Sequence, residues 1–81
     1  MKRQLNTLYE RARSAWFQYC EREGYVPLCP SLSDSQQLTT SHERTYIVLA
    51  NVNGILAVYR VRPNGTLRRI TRVPQEIQAL Y

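Results

Sequence analysis

The chain has 81 residues, 43% hydrophobic and 21% charged, which suits one small globular domain with a thin core and excludes a disordered chain. Eleven Lys+Arg against six Asp+Glu leave a net charge of +5, and every basic residue except Lys2 is Arg, whose planar fork of donors matches phosphate and carboxylate. No apolar run approaches the ~20 residues of a membrane span, and Met1-Lys2-Arg3-Gln4 leads into a polar-interrupted segment rather than a secretory leader, so a soluble, cytoplasmic protein is expected.

Residues 3–23 read as a helix. Leu5, Leu8, Tyr9, Ala12, Trp16, Tyr19 and Cys20 recur at three- and four-residue steps and form one stripe, with Arg3, Glu10, Arg13 and Glu21 on the other face. Gly24 supplies a left-handed stop and Pro27 forbids continuation. The aromatic stripe of Tyr9, Trp16 and Tyr19 is expected to be core, with Trp16→Ala costing about 3–5 kcal/mol.

Residues 24–43 read as a connecting loop rich in Pro and Ser, long for a compact domain. Its apolar Tyr25, Val26, Leu28 and Leu32 suggest that part of it packs down. Gln36–Thr40 is the best place in it for a short hidden strand.

Residues 44–72 read as an antiparallel meander of three strands, Tyr46–Val52, Ile55–Arg62 and Thr66–Arg72. They are joined by Asn53-Gly54 and by Pro63-Asn64-Gly65, the latter as a type I turn with a glycine bulge. Pro74 then opens a helical turn within 74–81. The expected fold is therefore a single α+β domain over 1–81: an N-terminal amphipathic helix packed on a three-stranded antiparallel β-meander, with a short C-terminal helical turn.

A two-residue loop at Asn53-Gly54 pairs Val52 with Ile55, Ala50 with Ala57, Val48 with Tyr59 and Tyr46 with Val61 on one apolar face, joined by Leu67, for the helix to cover. A slip of one residue would swap the faces. The opposite face then gathers Ile47, Leu49, Leu56, Val58 and Ile70, a candidate partner surface unless the chain's own loop and tail cover it. Toward its other end lie Arg60, Arg62 and Arg68, with Arg69 and Arg72 nearby, as candidate anion or nucleic-acid contacts. The same register turns Tyr59 away from these arginines, which weakens stacking on bases.

Chemical motifs are absent. Cys20 and Cys29 form no CxxC pair and His42 is the only histidine, so neither a metal nor a cofactor is expected, and both thiols are expected reduced. A pocket gathering His42 with Glu43, Asp34 or Cys29 would be needed for catalysis, and sequence adjacency is no triad. The sequence thus predicts a non-enzymatic protein-interaction module, binding an unidentified protein partner or a second copy of itself. Weak nucleic-acid binding through the basic sheet face is the alternative.

Overall fold

Backbone conformation is described for residues 3–40 and 43–81 in the computed structural model. Helix α1 spans Arg3–Glu23, as the periodicity predicts. Gly24 takes φ +79°. Its N–H donates to the Glu21 carbonyl at 3.3 Å, and the Tyr25 N–H reaches back to the Cys20 carbonyl at 2.9 Å. This bond pair is the Schellman stop, which satisfies two carbonyls that a bare helix end would leave open.

The segment after α1 is held to both the helix and the sheet. The Tyr9 hydroxyl donates to the Pro30 carbonyl at 3.2 Å and Trp16 Nε1 to the Leu28 carbonyl at 2.9 Å. The Ser31 N–H donates to the Ala50 carbonyl at 2.8 Å. Buried Ser35 donates through Oγ to the Ser31 carbonyl at 2.7 Å and accepts the Ala50 N–H at 3.1 Å.

The sheet has four strands rather than the three expected. Strand β1 is Gln36–Thr39, β2 Thr45–Asn51, β3 Gly54–Val61 and β4 Leu67–Ile70, and neighbours in the order β1-β2-β3-β4 pair antiparallel. Leu38 is the one apolar residue of β1, so alternation alone is a weak signal there. Pairing with the buried β2 organises it.

The second departure is the register. Asn51 pairs with Gly54, Ala50 with Ile55 and Leu49 with Ala57, leaving Leu56 as an extra residue on β3. Val48 then pairs with Val58 and Ile47 with Tyr59. The expected pairs are therefore displaced by one residue. The turn explains it: the Asn53 N–H donates to Asn51 Oδ1 at 2.8 Å, so the bend starts at Asn51, and Gly54 rather than Asn53 takes the positive φ, +119°. The β3–β4 turn follows expectation. The Gly65 N–H donates to the Arg62 carbonyl at 2.8 Å with Gly65 at φ +88°, and Leu67 lands on the helix face.

Because side chains alternate, the shift swaps the faces of β2 relative to β3. Ile47 and Leu49, with Ala57 and Tyr59, pack against Tyr9 and Ala12 of α1. Tyr46, Val48 and Val58 point the other way, where Ile77 covers them. Ile77 belongs to α2, Gln75–Gln78, the short C-terminal helix that Pro74 precedes. Each such fully buried aliphatic side chain contributes about 1.5–3 kcal/mol. Among the described residues no helix is long and apolar enough to cross a membrane.

Candidate functional site

The expected partner surface does not exist as one face. Ile47 and Leu49 are fully enclosed beneath α1, whereas Val58 is buried and Ile70 half-buried on the opposite side, beside α2. Leu56 is half-buried at the bulge. The one-residue shift divides the group: α1 covers Ile47 and Leu49, and Ile77 of α2 packs with Val58 and Ile70.

The arginines fare differently. Leu38, Tyr46, Arg60 and Arg68 form one row across the sheet, and Arg60 stands directly opposite Arg68. Like charges in facing positions repel. Among the described residues the one ion pair is Arg22 with Glu23, at 4.0 Å and in solvent, so neither arginine of the row has an acidic partner within that reach. Arg60, Arg68 and Arg72 line a depression of about 400 Å³ with Arg69, Ile70 and Thr71. Arg62 lies beyond β3, exposed, and lines a neighbouring depression with Arg44, Arg60 and Glu43. Arg60 Nε is buried without an acceptor. The aromatic of this row, Tyr46, is itself buried, so it presents no open ring face for stacking.

Arg69 borders that depression but carries its guanidinium to the other face. It pairs with Tyr59, in the row that runs through Ile47 beneath α1. Its guanidinium carbon sits 4.1 Å from the centre of the Tyr19 ring, and that of Arg22 sits 5.8 Å from the same ring. Tyr59 is 3% exposed, and its hydroxyl has no hydrogen-bond partner. Burial pushes the Tyr59 hydroxyl up from its ordinary pKa, against the opposing pull of Arg69. Burial likewise raises the Cys20 thiol, again opposed by Arg69. The sequence points to neither Tyr19 nor Tyr59 as part of a site, because their meeting with Arg69 depends on the register.

The cysteines are both free, Cys20 buried and Cys29 exposed. His42, the centre of the enzymatic alternative, and Ser41 lie outside the described residues. Asp34 and Glu43 flank opposite ends of β1 and its connections. Among the described residues no three His, Cys, Asp or Glu side chains are grouped to hold a metal ion. No protein-family model, curated protein or solved structure matches the chain.

Proposed function

We propose that the protein is a non-enzymatic module that binds single-stranded nucleic acid through its phosphates, using Arg60, Arg68 and Arg72 with Arg62 at the margin. The observation that carries this reading is the Arg60–Arg68 pair, two cations facing each other across adjacent strands without an acidic side chain within 4.0 Å among the described residues. An anion seated between them converts repulsion into two charge-assisted hydrogen-bonded pairs. The buried ring of Tyr46 and the inward turn of Tyr59 favour binding to the backbone over stacking on bases, so binding is expected to be weak and insensitive to sequence.

Fluorescence anisotropy with a labelled single-stranded oligonucleotide over a salt series tests it. Removing one arginine that neutralises a phosphate should flatten the log affinity–log salt slope by about 0.7. Arg60→Ala and Arg68→Ala should each weaken binding and flatten the slope. No binding at low salt, or a slope unchanged in both variants, would reject the reading.

The protein-interaction reading keeps one supporting observation. Tyr25, Val26 and Leu28, in the segment after α1, leave large apolar areas in solvent, with Val26 90% exposed. In that reading the partner or second copy docks on this segment rather than on the sheet. Sedimentation of the wild type against a Val26→Asp/Leu28→Asp variant checks self-association, and a monomer in both removes the homodimer.

A further inference from the structure

We propose that the cleft between the C-terminal half of α1 and the β4 edge binds a phosphate group, held by Arg22, Arg69 and the hydroxyl of Tyr59. The cleft is an open depression of about 300 Å³ lined by Ala15, Gln18, Tyr19, Arg22, Tyr59 and Arg69, with no acidic side chain among them. That volume is at the small end for ligand sites, which suits a compact anion or its monoester.

Two buried donors in this cleft lack acceptors: the Tyr59 hydroxyl and Arg69 Nε. Buried donors without partners are rare, because each forfeits its hydration with nothing in return. Here both belong to residues lining the same cavity, in facing positions of β3 and β4. Neither atom meets solvent, so an oxyanion accepts from them only when the side chains lying over them shift. The Tyr19 ring stacks on the Arg69 guanidinium and sets it beside the cleft. Arg22 overhangs the same ring from the exposed side of α1, and its Glu23 contact is long and solvated.

A helix C-terminus ordinarily repels anions through its open carbonyls. In α1 the Schellman bonds from Gly24 and Tyr25 occupy the carbonyls of Glu21 and Cys20, which blunts that repulsion beside the cleft.

The site lies on the α1 face of the sheet, whereas Arg60 and Arg68 lie on the α2 face, so the two binding activities separate by mutation. The experiment is a titration of the labelled full chain with inorganic phosphate, followed by NMR, against chloride at matched ionic strength. Saturable shifts at Tyr59, Arg69, Gln18 and Arg22 are expected. Tyr59→Phe, which removes one oxygen from an enclosed ring, should weaken binding about tenfold, the value of one hydrogen bond to a charged group. Arg22→Gln, on the exposed helix surface, should weaken it without touching the core. Arg60→Ala/Arg68→Ala should leave it unchanged. A nucleoside 5′-monophosphate forms the second arm: tighter binding than phosphate assigns the site to a strand end, and equal binding assigns it to the phosphate alone. Shifts that match the chloride control, or that survive both Tyr59→Phe and Arg22→Gln, would overturn the proposal.

Discussion

Ile47 stands opposite Tyr59 across the β2–β3 ladder, and both are closed over by α1. The pair is the midpoint of the helix-side core, with Leu49 and Ala57 as the next facing pair toward the turn. Ile47→Ala should lower stability by about 2–5 kcal/mol, read as a fall in the urea midpoint with an unchanged slope. Leu56→Ala, at the half-buried bulge, should cost clearly less. Equal effects of the two would place β2 in the other register.

Ser35 is the buried polar residue that ties the long connection to β2. Ser35→Ala strips the Ala50 N–H of its acceptor and the Ser31 carbonyl of a donor, so a destabilisation of about 1–3 kcal/mol is expected. Hydrogen exchange should show faster loss of protection at Ala50 than at Val48. Equal protection in variant and wild type would contradict this role.

Trp16 is half-buried rather than enclosed, packing at the margin of the core and stacking at 6.1 Å on Tyr19. The cost of Trp16→Ala should therefore fall to about 1.5–3 kcal/mol, below the full-burial figure. Trp16→Phe isolates the hydrogen bond to Leu28 and should cost about 1 kcal/mol. Denaturant melts of the two variants measure both values.

The facing arginines make a prediction of opposite sign. Arg68→Glu replaces a like-charge pair with an opposite-charge pair and should raise stability by about 0.2–1 kcal/mol while abolishing oligonucleotide binding. The stabilisation should shrink in high salt. A thermal melt and an anisotropy titration on the same sample read both effects.

Tyr59 also sets a pH dependence. Its hydroxyl is raised by burial, so the folded state holds the proton to higher pH than the unfolded chain does. The stability that this gives is present below the unfolded tyrosine pKa of about 10 and is lost as pH rises above it toward the folded value. Tyr59→Phe should flatten the fall in the melting midpoint above that pH. Cys20 is raised in the same direction, so Cys20→Ala should remove a further part of the alkaline slope, beginning nearer pH 9.

Local chemistry in the chain accounts for the elements one by one. The apolar steps from Leu8 to Cys20 specify α1, Gly24 ends it, Pro63-Asn64-Gly65 builds the second turn, and Pro74 opens α2. These signals act over a few residues, through backbone sterics and side-chain spacing, and need no partner. Strand β1 is different: with Gln36, Gln37 and Thr39 around one leucine, it is extended because β2 offers it a buried ladder.

The faces depended on less local events. Asn53-Gly54 announces a turn, but the Asn51 side chain starts the bend earlier and the bulge at Leu56 absorbs the extra residue. One residue of shift exchanges the two sides of β2. It sends Ile47 and Leu49 beneath α1, leaves Val58 to Ile77, and so dissolves the expected apolar surface. Charge and composition established that arginine is the chain's main chemical resource. Only the folded sheet set Arg60 against Arg68 and turned Arg69 toward Tyr19 and Tyr59, because cross-strand neighbours follow from register, and register follows from the turn and the packing of both faces together.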